Sequence, residues 1–291
     1  ELCAAVARHD ILFCLLHDRV GREVIAANPG LRAIASMKIT PSDIDVAAAT
    51  ARRIPVTVIP PIVTEATADI HFALLLAVAR RVVEGDRLVR AGIFPGSQSS
   101  HLEGAGVWNK TIGLIGGGGR IGRAVARRAH GFSMRVLYWT PRRKSEDEER
   151  EAGLTYTSFD ELLAESDFVS MHAPLTSETQ HLMGTREFAL MKPTAFFVNT
   201  ARGAVVDEAA LARALTDGSI AGAGLDVFEH EPVVTPALLA IPNVVVTPHL
   251  GSAVGELRER MAHIVVDNIF AILEGEQPPN CWNREIYTAS G

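Results

Sequence analysis

Between residues 111 and 247 six short apolar runs recur, each closed by glycine or a polar residue, with helical patterns between most of them. They cover 111–115, 134–139, 167–171, 195–199, 222–226 and 243–247. Continuous apolar runs of this length, bounded by turn residues, read as strands buried on both faces. In a βαβ rhythm they predict an α/β fold, a doubly wound parallel sheet. Ligands of such sheets bind outside the carboxyl ends of the strands. There the last three runs lead into Thr200-Ala201-Arg202-Gly203, Val227-Phe228-Glu229-His230-Glu231-Pro232 and Pro248-His249-Leu250-Gly251-Ser252. An arginine, a glutamate and a histidine at successive strand ends suit a site for one small anion.

With 291 residues the chain is long enough for two cores. Residues 1–62 alternate strand patterns (11–16, 31–35, 55–59) with helical ones, and Pro41-Ser42-Asp43 predicts a helix start running through Ala51. One long amphipathic helix is expected over 64–90, then a Gly/Ser-rich loop over 91–106. A second long helix over 252–273 would carry the chain back to the first domain. The expected division is a substrate domain at 1–66 and 259–291, interrupted by a dinucleotide-binding domain at 67–258, an arrangement suited to hinge closure. The charged run 144–151 reads as a solvated helix face.

The first of the six runs leads into Gly116-Gly117-Gly118-Gly119-Arg120-Ile121-Gly122 and then a helical pattern. Gly117-x-Gly119-x-x-Gly122 satisfies the dinucleotide fingerprint. Its glycines provide the tight turn, backbone approach to the pyrophosphate, and close helix packing. Four consecutive glycines leave the register open by one residue. An NAD site usually presents an acidic residue at the end of the second strand. Here Tyr138-Trp139 is followed by Thr140-Pro141-Arg142-Arg143-Lys144, with no carboxylate before Glu146. A hydroxyl and three cations suit a 2′-phosphate, so NADP(H) is the expected cofactor, with NAD(H) as the second choice; the alternative is a basic surface loop.

A formal charge of −6 argues against nucleic acid as a partner and requires positive charge to be concentrated where anions are received. No apolar stretch approaches the ~20 residues of a membrane span, and no signal peptide is visible. Cys3, Cys14 and Cys281 show no metal or redox spacing, which fits a reducing cytoplasm and no metal site.

These motifs together resemble the D-isomer-specific 2-hydroxyacid dehydrogenases, with the glyoxylate/hydroxypyruvate reductases nearest within them. The resemblance is carried by the glycine turn, Val198-Asn199-Thr200-Ala201-Arg202-Gly203, Leu225-Asp226-Val227-Phe228-x-x-Glu231-Pro232 and Thr247-Pro248-His249. It implies a Rossmann cofactor domain inserted into a smaller flavodoxin-like α/β substrate domain, with Arg202, Glu231 and His249 as the catalytic trio. It further implies that Thr200, Asp226, Pro174, Thr64 and Thr67 line the nicotinamide half of the cofactor, with Arg120 and Ile121 at the pyrophosphate. A homodimer through the cofactor domain, near the 91–106 loop, is implied as well. Three features depart from the family. Its glycine turn is usually one residue shorter, its chains begin with a strand upstream of the counterpart of Glu1, and its substrate-carboxylate loop reads Gly-Val-Gly. That loop matches Lys38-Ile39-Thr40 here and works through backbone N–H groups; Lys38 would add a charge toward the substrate or be solvated.

Reducing a 2-oxo acid to a 2-hydroxy acid needs a hydride at C2, a proton at the carbonyl oxygen and a hold on the carboxylate. The nicotinamide would supply the hydride. His249 would supply the proton, Glu231 would bond its other ring nitrogen and favour the charged ring, and Arg202 would bind carboxylate and carbonyl oxygens. His9, His17, His130, His181 and His263 read as surface or packing residues, and His172 as a cleft or structural residue. A dinucleotide-sensing corepressor on the same scaffold is the alternative. Formate dehydrogenase, which shares the scaffold, is disfavoured by Glu231, since it carries a glutamine beside the histidine.

Overall fold

The computed structural model describes residues 1–15, 18–97 and 100–288; His17 and Leu16 lie outside them. The chain forms two compact units, Glu1–Ile62 with Ala253–Gly291, and Val63–Ser252. The division falls slightly upstream of the boundaries expected from the sequence.

The first unit holds a three-stranded parallel sheet in the order β1 (Ile11–Cys14), β2 (Ala33–Ser36), β3 (Val56–Thr57). The return helix Gly255–Leu273 packs on β2. Beyond it, Asn283 is buried and ties the chain end to β3, accepting from Val56 N (2.8 Å) and donating to Ile54 O (2.9 Å). The helix expected to start at Pro41 begins only at Val46, capped by Asp45, whose carboxylate accepts from Ala48 N (2.8 Å). Asp43 is drawn out of it by an ion pair with Lys38.

The second unit holds seven parallel strands: β4 (Thr111–Ile115), β5 (Arg135–Trp139), β6 (Thr155–Tyr156), β7 (Phe168–Met171), β8 (Phe196–Asn199), β9 (Gly222–Leu225) and β10 (Val244–Val246). Their order is β10-β9-β8-β7-β4-β5-β6, so the chain winds outward from β4 and crosses back to β7 on its other side. The six expected strands are present. The seventh, β6, is a two-residue edge strand against β5, too short for an alternation to register. Alternate residues divide between two cores. Ile112, Leu114, Val136 and Phe168 meet the helices Thr64–Ala79 and Arg120–Gly131, while Ile115, Val169 and Phe197 meet Phe159–Glu165, Thr185–Leu190 and Glu208–Thr216.

The single helix expected over 64–90 is two, Thr64–Ala79 and Val82–Arg90. Arg81 between them is left-handed (φ 53°), and the 104–105 segment takes the carbonyl at the break, with Ala105 N donating to Ala79 O (2.8 Å). No helix among the described residues is long and apolar enough to cross a membrane.

Inside the second unit, Ser170 of β7 joins two imidazoles, with His172 Nε2 at 2.6 Å and His71 Nε2 at 3.2 Å from its hydroxyl. Burial pushes His172 down to about 3, and burial, with the repulsion a protonated His172 would exert, holds His71 well below the ordinary histidine value. Both rings are neutral in the folded chain and take up protons on unfolding. Their stabilising effect is complete above the ordinary histidine pKa of about 6.5 and is lost as pH falls through it toward about 3. Between about pH 7.5 and about pH 5 the melting temperature should therefore fall, by roughly 5 °C more in the parent than in His71→Leu. Equal slopes in the two proteins would contradict this account.

Candidate active site

Strand register sets the site. Ile115 pairs with Met171, Met171 with Asn199, Asn199 with Leu225, and Leu225 with Val246. The residues that follow, Gly116, His172, Thr200, Asp226 and Thr247, therefore form a row along one edge of the sheet. At the usual strand spacing the row spans roughly 19 Å.

At the β4 end the glycine register is Gly117-x-Gly119-x-x-Gly122. Gly116 is left-handed (φ 82°), and a Cβ on Gly122 would lie 2.5 Å from Gly117 Cα, so helix and turn meet backbone to backbone. Gly119 caps the helix Arg120–Gly131 without a side-chain acceptor, leaving its first-turn N–H groups facing outward for an anion. Farther along the row, Thr200 Oγ1 and His172 Nδ1 are buried and find no hydrogen-bond partner among the described residues. A backbone cradle at one end and buried polar atoms farther along fit a dinucleotide. Pro174 follows the β7 end, its carbonyl accepting from Thr179 Oγ1 (2.6 Å).

The basic loop after β5 is more selective than its sequence suggests. Arg143 spends its guanidinium on Glu149, with Nε and Nη2 each 2.8 Å from a carboxylate oxygen, and lies over the Tyr156 ring at 5.5 Å. Tyr138 donates to the same carboxylate (2.7 Å). The bonds from Arg143 and Tyr138 hold Glu149 down to about 2, while burial and Glu149 push the Tyr138 phenol up to about 12. Glu149 is buried, in a run that the sequence reads as a solvated helix face. Lys144 faces Glu148 at 3.6 Å, and Glu148 also pairs with Arg123. Arg142 alone of the three cations makes no ion pair among the described residues; Thr140 Oγ1 donates to its carbonyl (2.6 Å).

At the β8 end, the buried Asn199 folds the next loop over itself, accepting from Ala201 N (3.0 Å) and donating to Arg202 O (2.9 Å). Arg202 is exposed, and its Nη1 donates to Ala201 O (2.6 Å). At the β9 end, the buried carboxylate of Asp226 gathers the loop after β10. Oδ1 accepts from Thr247 Oγ1 (2.6 Å) and Leu250 N (2.7 Å), and Oδ2 accepts from Gly251 N (2.9 Å). That loop holds His249 in a left-handed conformation (φ 55°), with Nδ1 2.8 Å from Glu231 Oε2. Phe228 N donates to the other Glu231 oxygen (3.0 Å). Thr64 begins the helix Thr64–Ala79, and Thr67 commits its hydroxyl to Gly251 O (3.1 Å) and Val63 O (2.9 Å).

In the first unit, Lys38 is buried, with Nζ 2.6 Å from Asp43 and 3.2 Å from Asp18 O. Its charge is compensated and buried, so it is neither directed at substrate nor solvated, the two alternatives the sequence left open. Ile39 is half-buried and Thr40 exposed. Three features escaped sequence reasoning: the His71–Ser170–His172 cluster, the pair His181 Nε2 with Glu229 Oε1 (2.6 Å), and the buried Glu208. Among the described residues no group of three or more His, Cys, Asp or Glu is arranged to hold a metal ion.

Comparison with known proteins agrees with this architecture. The family model described as "D-isomer specific 2-hydroxyacid dehydrogenase, NAD binding domain" matches residues 72–251. The chain is 48% identical over 293 residues to a glyoxylate reductase of Thermococcus litoralis, covering 99% of this chain and 88% of that protein. It is 50% identical over 279 residues to a glyoxylate reductase of Korarchaeum cryptofilum, covering 95% and 83% respectively. The crystal structure of the TT0316 protein from Thermus thermophilus superposes with a TM-score of 0.90 at 44% identity, covering 97% of this chain and 88% of that one. The chain belongs to the D-isomer-specific 2-hydroxyacid dehydrogenases, oxidoreductases that use a nicotinamide dinucleotide.

Proposed function

We propose that this enzyme is an NADP(H)-dependent reductase that converts glyoxylate or hydroxypyruvate to the corresponding 2-hydroxy acid. The observation that carries the reading is the His249–Glu231 pair at 2.8 Å, held at the strand ends beside Asp226. Relatives named glyoxylate reductases, at 48% and 50% identity, support the substrate class. No observation favours the corepressor-like alternative.

Arg120 and Ile121 after the glycine turn would hold the pyrophosphate of the dinucleotide and Thr200 and Pro174 would line its nicotinamide half, and the bound cofactor would supply a hydride for C2 of the substrate. Glu231 accepts a hydrogen bond from the Nδ1–H of His249, which fixes the ring's orientation and sets a carboxylate beside its protonated form. His249 then gives its Nε2 proton to the carbonyl oxygen and is left neutral, with Nδ1–H still on Glu231. Arg202 binds the carboxylate and carbonyl oxygens, orienting the substrate and polarising the bond being reduced. Within the first unit, the N–H groups of Ile39 and Thr40, rather than the paired Lys38 ammonium, are the donors available to a carboxylate.

Preference for the 2′-phosphate rests on the missing carboxylate after β5 and on Arg142, since Arg143 and Lys144 already have acidic partners. A homodimer and a cytoplasmic location belong to the same proposal. The dimer is supported by the exposed apolar side chains Val82, Val89, Ile93, Phe94 and Trp108 around the segment expected at the interface.

Oxidation of NADPH and NADH, each with glyoxylate and with hydroxypyruvate, tests the whole reading, and turnover with neither acid would refute the substrate. His249→Ala should bind cofactor normally and lose kcat by about a hundredfold or more; unchanged kcat removes it as the proton donor. Arg142→Ala should raise KM for NADPH about tenfold and leave NADH use unchanged. Equal loss with both cofactors would refute the phosphate assignment.

A further inference from the structure

Glu208 is buried at 4% exposure, opens the helix Glu208–Thr216, and has no cationic partner among the described residues. Burying an unpaired carboxylate is costly unless donors surround it. Its donors come from outside its own helix, whose cap is served by Asp207 accepting from Ala210 N (2.9 Å). Glu208 Oε1 accepts from Glu229 N (2.7 Å), and Oε2 accepts from the Thr235 hydroxyl. The two anchored residues bracket Glu231.

We propose that Glu208 is a positioning residue that aims Glu231 at His249; this rests on the reading of His249 as the proton donor. Phe228 lies between two successive peptide N–H groups. Its own donates to Glu231 Oε1 (3.0 Å), and the next, that of Glu229, donates to Glu208 (2.7 Å). Holding the second peptide leaves only the φ and ψ of Phe228 between it and the first, and so restricts the carboxylate whose other oxygen holds His249 Nδ1. The same peptide meets the arginine loop, because a Cβ on Gly203 would lie 1.8 Å from Phe228 C. Glu208 follows that loop in sequence after the turn Gly203–Val205. One carboxylate thus registers the segment bearing Arg202 against the segment bearing Glu231. The charged groups bonded into these segments are Asp226, Glu229 with His181, Glu231 with His249, and Arg202.

The test measures kcat and KM for glyoxylate reduction against pH, with NADPH binding followed by fluorescence, in the parent and in Glu208→Ala, Glu208→Gln, Thr235→Val and Glu231→Gln. Glu208→Ala should lose kcat about tenfold and keep its NADPH affinity, and the basic limb of its profile should move down by about half a pH unit or more. Glu208→Gln still offers an oxygen to Glu229 N–H and should restore most of the turnover. Thr235→Val, which removes one donor only, should move the limb the same way by less, and serves if Glu208→Ala does not fold. Combined with Glu231→Gln, Glu208→Ala should cost little more than Glu231→Gln alone. Independent, multiplying losses, or an unmoved basic limb with lowered stability only, would overturn the proposal. Failure of the underlying reading shows differently, as a Glu231→Gln profile indistinguishable from the parent, and it would overturn this proposal as well.

Discussion

A parallel sheet is one-sided in a way an antiparallel sheet is not, since every strand delivers its carboxyl end to the same edge. The unbroken register from Ile115 to Val246 makes that edge a row of five consecutive positions, each the first residue beyond a strand. Everything chemical in the second unit hangs on it. The glycine turn must stay low enough for backbone to approach a phosphate, and Gly122 against Gly117 gives it that height. The loops bearing Arg202, Glu231 and His249 need no structure of their own beyond the bonds that fold them back on the strand ends.

Those bonds explain how an acidic chain can serve two anions. The carboxylates near the edge do not face outward as bare charge. Asp226 is filled by two backbone N–H groups and a hydroxyl, Glu208 by a backbone N–H and a hydroxyl, and Glu149 by Arg143 and Tyr138. Surrounding each with donors stabilises its charge in place without requiring a compensating excess of lysine and arginine. Outward of these carboxylates lie Arg202, Arg142 and the first turn after Gly119.

Much of this was legible in the sequence because parallel strands buried on both faces write themselves as solid apolar runs. The glycine turn, all six long strands and the residues after three of them could be read directly. The rest escaped for identifiable reasons. β6 pairs over two residues, and no periodicity fits in two. The helix break at Arg81 has neither proline nor glycine; it is set by the 104–105 segment, a contact remote in sequence. Charge alone could not tell Arg142 from Arg143, nor foresee that Lys38 would be neutralised by Asp43, because pairing is a tertiary property. Glu208 and His71 carried no local signal, since each looks like an ordinary helix residue until its neighbours from other segments arrive.

The three bonds on Asp226 have a consequence for which letters the chain can tolerate there. Asparagine matches aspartate in size and shape, yet it replaces one acceptor with a donor. With its oxygen toward Thr247 and Leu250, its nitrogen would face the Gly251 N–H, and turning it over only moves the conflict to the other pair. Glutamate restores both acceptors but reaches too far by one methylene. The position is closed to its nearest chemical neighbours by acceptor count alone. A mutational scan of this chain would score Asp226 as intolerant as any reacting group, although its role in these contacts is to hold the histidine loop to the sheet.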